Sequence, residues 1–237
     1  MLHYCGSEIH GGFLNNLVHS QRQGWFAIEL QETVVERGKD GQWLSALDFL
    51  WLEVTRKCNL KCIHCYTDSS AQLPLMGRMQ YDDWQRVLEQ GASLGCRTVQ
   101  FIGGEPILYP HLTHLIADAR VLDYRFIEVF TNGTLLNDSL FEIFQQFDVH
   151  LAFSVYAHGT EIHENITKKR GSFQKTLDGI RRALDHILTV RVGVTLMEAN
   201  ENDLEKVKAI LTQIGIATVG VDRLRGVGRG GDSTPHI

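Results

Sequence analysis

From Phe49 onward, short runs rich in β-branched, aromatic and aliphatic residues alternate with longer stretches whose apolar positions repeat at i, i+3 and i+4. The first kind predicts strands over Leu50–Thr55, Val99–Gly103, Phe126–Thr131, His150–Tyr156, Val190–Leu196 and Thr218–Leu224. The second predicts helices over Tyr81–Leu94, His111–Leu122, Asn137–Phe147, Ser172–Ile187 and Asn202–Ile214. Val87, Leu88, Ala92 and Leu94 form one expected stripe; Leu204, Val207, Ile210, Leu211 and Ile214 form another. Asn137 and Ser172 stand where helix N-caps are needed. Near-continuous apolar strands joined by helical crossovers mean a parallel sheet covered by helices. Six strands with five intervening helices are too few for a closed eight-fold barrel. Residues 1–48 precede this alternation and are expected to form a small accessory segment. Trp25–Val35 reads there as a strand or hairpin with a turn at Gly38–Gly41.

Composition narrows the class without naming a reaction. The chain has 237 residues, 43% hydrophobic and 22% charged, enough for one large α/β domain. A net charge of −5 offers no basic field for nucleic acid. No apolar run approaches the length of a membrane span, and the N-terminus, with Ser7, Glu8 and His10, has no leader-like apolar core. Five cysteines, an odd number, point to free thiols in a reducing compartment, so the expected location is the cytoplasm.

Three of those cysteines carry the chemistry. Cys58, Cys62 and Cys65 are spaced C-x3-C-x2-C directly after the first predicted strand. Thiolates in one short loop can wrap an iron–sulfur cube. Three ligands for four irons leave one iron open, as a catalytic site requires. Two other readings compete. A Cys3His zinc knuckle would use His64, which lies cramped between two of the cysteines and lacks the usual distant ligand pair. A disulfide is disfavoured by the odd count.

The spacing followed by the aromatic Tyr66 resembles the radical S-adenosylmethionine (SAM) superfamily. The resemblance implies a partial (β/α)6 barrel of TIM type across residues 49–231, with 232–237 as a tail. It implies a [4Fe–4S] cluster on Cys58, Cys62 and Cys65 whose open iron chelates SAM. It further implies cleavage of SAM to a 5′-deoxyadenosyl radical and an electron donor such as flavodoxin or ferredoxin; charge and hydropathy, as above, predict no nucleic-acid or membrane partner. Gly103-Gly104-Glu105-Pro106, at the end of the second barrel strand, resembles the family's GGEP motif, whose backbone and carboxylate meet the SAM ammonium. Paired glycines also let a backbone approach a ligand closely, and Pro106 biases Glu105 to extended conformations. Thr131 or Asn132, in the turn Thr131-Asn132-Gly133, is implied near the ribose or methionyl part; a plain turn is the alternative. Ser154, on one face with Ala152 and Tyr156, is implied as a SAM contact, a buried serine bonded to backbone being the alternative; Thr195, Leu196 and Met197 are implied near adenine, with Met197 equally readable as a barrel-top packing residue.

The stretch from His163 to Phe173 resembles a segment of the peptide-modifying members. Relatives place an arginine four residues after the histidine, where this chain has Thr167. That leaves open which of Lys168, Lys169 or Arg170 pairs with the SAM carboxylate, if any does, Arg suiting a planar carboxylate best; a solvated basic start to the following helix is the alternative, though the dipole disfavours cations there. Val221-Asp222-Arg223-Leu224-Arg225 through Gly231 resembles the junction that precedes a cysteine-rich extension in peptide maturases. No cysteine follows Cys96, so no auxiliary cluster is expected in this polypeptide, which favours redox-neutral chemistry over oxidative cross-linking. Arg223, Arg225 and Arg229 are expected either to meet an acidic leader or substrate carboxylate or to form a solvated loop. Cys96 is expected to be a small buried residue; Cys5 has no assignment. The implied substrate is a ribosomally made peptide. A small-molecule substrate, or a cluster-binding fragment without turnover, are the alternatives.

Overall fold

The computed structural model describes residues 32–37 and 43–232. Strands β1 (Glu32–Arg37) and β2 (Trp43–Leu47) pair antiparallel, with Arg37 opposite Trp43. They are all that is described of the accessory segment; the expected turn at Gly38–Gly41 lies outside the described residues.

Six parallel strands then pair strictly in chain order: β3 (Leu50–Thr55), β4 (Thr98–Gly103), β5 (Phe126–Thr131), β6 (His150–Ser154), β7 (Val190–Leu196) and β8 (Val219–Arg223). Five connections carry helices: α1 (Tyr81–Ser93), α2 (Leu112–Val121), α3 (Asp138–Gln146), the pair α4 (Thr160–Thr167) and α5 (Ser172–Asp185), and α6 (Leu204–Gln213). This is the partial (β/α)6 barrel. No helix among the described residues is long and apolar enough to cross a membrane.

Strand parity builds two layers. Leu50, Leu52, Val54, Val99, Phe101, Ile127, Val129, Leu151, Phe153, Val192 and Val194 form the core beneath the helices. Residues of the other parity make a polar interior. There the Glu128 carboxylate, buried on β5, accepts hydrogen bonds from Arg191 Nε and Nη2 at 2.7 and 2.6 Å and from the Gln100 amide. This three-residue network joins β4, β5 and β7 across the sheet.

Local rules explain most of the helices and two departures. Asn137 caps α3 as expected, its Oδ1 accepting from Leu140 N at 3.0 Å. Ser172 does not cap α5. Gly171, in the left-handed region at φ +79, takes that position, and the Ser172 hydroxyl pairs with Thr167 Oγ1 at 2.8 Å. In α1 the buried face is Trp84, Leu88 and Gly91 rather than the stripe ending at Leu94, which is 60% exposed. Helix α4 escapes the periodicity because its buried face, His163, Ile166 and Thr167, is mostly polar. Its presence also relocates the basic run Lys168-Lys169-Arg170. Those cations follow the C-terminus of α4, where the helix dipole favours them, instead of opening α5.

Candidate active site

The cysteine loop leaves β3 at its C-terminal end, where βα barrels gather their functional loops. Its own hydrogen bonds shape it: Cys58 N–H donates to Ser70 O at 3.1 Å, Cys65 N–H to Cys62 O at 3.3 Å, and the Arg56 guanidinium to Thr67 O at 2.6 Å. Its outer flank lies along the end of α4, with Lys61 N–H on Thr167 O and Ile63 N–H on Ile166 O at 3.1 and 2.9 Å. The ends of β3 and α4 therefore hold one eight-residue ligand loop between them.

The three thiols have surroundings suited to metal-bound sulfur. Cys58 Sγ faces the Leu60 N–H at 3.4 Å and the Asn132 amide at 3.9 Å, and Cys65 Sγ faces Thr67 Oγ1 at 3.4 Å. Such donors to sulfur tune iron–sulfur potentials. Burial, then the Glu105 charge, pushes the Cys58 thiol up to about 12. Burial and the other two cysteines push Cys62 higher still. Without a metal the thiols are thus held protonated, and a bound cationic metal group would supply the charge that lets them ligate as thiolates. Among the described residues no three His, Cys, Asp or Glu side chains converge on a single ion. A cube makes no such demand, because each thiolate binds a different iron. His64, the would-be fourth zinc ligand, packs edge-on against the Tyr156 ring at 4.6 Å and is held neutral, down to about 4, by burial and by Arg229. The donor set fits an iron–sulfur cluster.

The Gly-Gly-Glu-Pro turn is stitched to this loop. Gly104 N–H donates to Thr55 O at 2.7 Å and Glu105 N–H to Lys57 O at 2.9 Å. A Cβ on Gly103 would lie 2.2 Å from Thr55 O, and one on Gly104 would lie 2.3 Å from Lys57 O. The close approach of the cysteine loop therefore itself requires both glycines. Glu105 is held just behind this turn. Its carboxylate is fully buried and turned inward, where Oε1 accepts from Thr131 Oγ1 (2.7 Å) and Ile107 N–H (3.1 Å) and Oε2 from Asn132 N–H (2.8 Å). Burial outweighs those donors and raises it from 4.5 to about 7. Pro106 opens a 3-10 turn, Pro106–Leu108, behind an extended Glu105, as expected.

Thr131 and Asn132 thus serve as the partners of Glu105, and Asn132 also reaches Asn59 Oδ1 at 2.8 Å beside the Cys58 sulfur. Tyr66 donates its hydroxyl to the buried Glu53 at 2.5 Å, and burial with that carboxylate holds the phenol far above its usual range. Ser154 ends β6, half-buried, two residues before the buried Tyr156. The Leu196 side chain packs on the helix-side core, and its carbonyl accepts from Leu224 N–H at 3.0 Å. Met197 packs with Tyr156 and Ile166 in a small apolar cluster against Cys62 and Ile63. Arg170 lines a groove with Asn59, Thr134, Leu135, Lys169, Ser172 and Lys175, and no carboxylate faces it. Cys96 is buried, as expected.

The roles of several residues here were not foreseen in the sequence. Tyr156 abuts the cysteines; its alternation with Ser154 was the available signal. His158 and Asp203 pair at 2.5 Å through Nδ1 and Oδ1, with His158 N–H on Oδ2 at 2.6 Å, joining the turns after β6 and β7. Arg229 is corrected most. It lies on the cysteine loop, its Nε donating to Cys62 O and Nη2 to Ser69 O, both at 2.8 Å.

Residues 52–211 match the sequence model of the Radical SAM superfamily. The chain is 26% identical over 182 residues to the antilisterial bacteriocin subtilosin biosynthesis protein AlbA of Bacillus subtilis, covering 76% of this chain and 40% of that one. It is 28% identical over 164 residues to the GTP 3′,8-cyclase of Petrotoga mobilis, covering 68% and 50%. It thus spans about half the length of the curated relatives it matches, or less. Among solved structures, Streptococcus suis SuiB bound to S-adenosylmethionine superposes with a TM-score of 0.67 at 17% identity, over 78% of this chain and 42% of that one. Native anSMEcpe with bound AdoMet superposes with a TM-score of 0.64 at 18% identity, over 75% and 51%. These two likenesses show the fold. With the family match spanning most of the barrel, the chain belongs to the radical SAM superfamily, whose members bind a [4Fe–4S] cluster and S-adenosylmethionine.

Proposed function

We propose that this protein cleaves SAM reductively and uses the resulting radical to modify a ribosomally made peptide. The observation that carries the first half is the loop of Cys58, Cys62 and Cys65, donor-lined and joined by backbone hydrogen bonds to the Gly103–Pro106 turn. When bound, cluster and cofactor supply one-electron cleavage of the sulfonium and a 5′-deoxyadenosyl radical that abstracts hydrogen. The chain's own residues hold and orient that pair. Cys58, Cys62 and Cys65 ligate the cluster, and Asn132 adds an amide donor at the Cys58 sulfur. The backbone of Gly103 and Gly104 meets the SAM ammonium, with Glu105 fixing that backbone from behind. Tyr66 and Ser154 border the cofactor, and Arg170 presents a guanidinium to its carboxylate. A protein electron donor, such as flavodoxin or ferredoxin, supplies the electron.

The peptide half is supported by the likeness to AlbA and by the fold shared with SuiB, solved with the precursor peptide SuiA, and with anSMEcpe, solved with the Cp18Cys peptide. The second reading, a small-molecule substrate, is favoured by the likeness to GTP 3′,8-cyclase and to AdoMet-dependent heme synthase. Anaerobic reconstitution with iron and sulfide, reduction with dithionite and addition of SAM should yield 5′-deoxyadenosine, detected by mass spectrometry. Single alanine replacements of Cys58, Cys62 or Cys65 should abolish both cluster and product; a variant retaining both removes that cysteine from the tripod. Deoxyadenosine formation stimulated by a leader-bearing precursor peptide, with a mass change in that peptide, supports the peptide reading. Stimulation by GTP instead overturns it.

A further inference from the structure

After β8 the chain turns back over the open edge of the barrel and lies on the cysteine loop. Arg225 places its guanidinium over the Trp51 ring of β3 at 5.8 Å. Gly228 adopts φ +56 against Cys65 and Tyr66, where a Cβ would lie 2.5 Å from both of their carbonyl oxygens. The short helix α7 (Arg229–Asp232) follows. Its first residue makes three hydrogen bonds to the loop: N–H to Cys65 O at 3.0 Å, Nε to Cys62 O at 2.8 Å and Nη2 to Ser69 O at 2.8 Å. The Arg229 side chain is only 20% exposed, and Asp68 lies 3.9 Å away.

Two of the three cysteines thus have their own carbonyl groups held by a single residue. A planar fork with fixed donor directions can hold Cys62 O and Ser69 O together, whereas an ammonium on a flexible stem cannot reproduce that geometry. The guanidinium also places a permanent positive charge beside the ligand loop. Cluster potentials respond to net charge and to hydrogen bonding around the sulfurs.

We infer that Arg229 is a positioning residue of the cluster site: it fixes the backbone at Cys62 and Cys65 and sets the charge against which the cluster is reduced. This rests on the reading that Cys58, Cys62 and Cys65 hold a [4Fe–4S] cluster. The segment Arg225–Gly231 is then part of the radical-generating centre, contributed from the far end of the barrel.

The test compares reconstituted wild type with Arg229→Gln, Arg229→Lys and Gly228→Ala. The readouts are the rate of iron release to a chelator, the midpoint potential of the cluster, and the melting temperature of the iron-free protein. Arg229→Gln should release iron about ten- to a hundredfold faster, the range for lost outer-sphere partners of a metal site, with little change in melting, whereas Gly228→Ala, whose Cβ would meet two backbone carbonyl oxygens, should release iron as fast and lower the melting temperature as well. Arg229→Gln should also shift the potential to more negative values. Arg229→Lys should release iron as fast as Arg229→Gln yet keep the wild-type potential. The inference is overturned if Arg229→Gln matches wild type in iron release and potential, if Arg229→Lys retains iron as wild type does, or if faster release from Arg229→Gln is matched by collapse of its iron-free fold. A wild-type protein that takes up no cluster would instead refute the tripod reading itself.

Discussion

Glu105→Gln separates the two forces acting on the most buried acid of the site. The carboxylate accepts from Thr131, Ile107 and Asn132, yet burial raises it from 4.5 to about 7. A folded-state value above the unfolded one means the native protein keeps a proton that the unfolded chain releases. Stability from this group is therefore fully present below pH 4.5 and is lost as pH rises through about 7. At about 1.36 kcal/mol per pH unit, the displacement from 4.5 to about 7 amounts to about 3 kcal/mol. Glutamine cannot ionise, so its variant is free of that loss. It has its own constant cost: its amide group faces the Asn132 N–H, leaving a buried donor unpaired for about 1–3 kcal/mol. The assay is urea unfolding of the iron-free protein, under reductant, at steps from pH 4.5 to 8. The variant should be less stable at pH 4.5, and the gap should close or invert by pH 8. His64 and His163 run the other way, since burial holds both down to about 4 and their contribution is lost as pH falls from 6.5. They are common to both proteins and cancel in the difference. A gap that stays constant across this range would refute the reasoning, because the three donors would then outweigh burial.

Two further substitutions test the packing around the site. Gly104→Ala puts a Cβ 2.3 Å from Lys57 O and 2.8 Å from Arg56 O, both backbone atoms. It should cost at least the upper part of the ~1–3 kcal/mol overpacking range and lower iron uptake, read by thermal melting and iron content. Arg191→Met leaves the buried Glu128 with only the Gln100 amide. It should cost about 3 kcal/mol in denaturant unfolding, and adding Glu128→Gln should recover part of that loss.

The strands were legible because parity and near-continuous apolar runs act locally: β3, β5 and β7 begin and end where the pattern places them. The ligand loop was legible because its three cysteines fall within eight residues. Harder features depend on partners remote in sequence. Leu94 looks like the next step of the α1 stripe, but the helix ends at Ser93 and Gly95 turns left-handed at φ +86, which leaves Leu94 in solvent. Helix α4 buries a histidine and a threonine, and only the neighbouring loop explains why. No spacing rule tells that the Glu105 carboxylate is buried against Thr131, Asn132 and Ile107, since those partners come from β5 and the turns beside it. Arg229 reads as one of several arginines in a glycine-rich tail until the fold brings it beside Cys62.

That last contact spans 167 residues of chain. During synthesis at ~5–20 residues per second, the cysteine loop leaves the ribosome roughly 10–30 s before the residues that clasp it. Closing so long a separation comes late in folding, after the local βα units have formed. For that interval the three thiols lie on a nascent barrel without their final support. Metal loading of this site thus belongs to a finished chain, and a protein stalled before its eighth strand would display the ligands without the frame that keeps them.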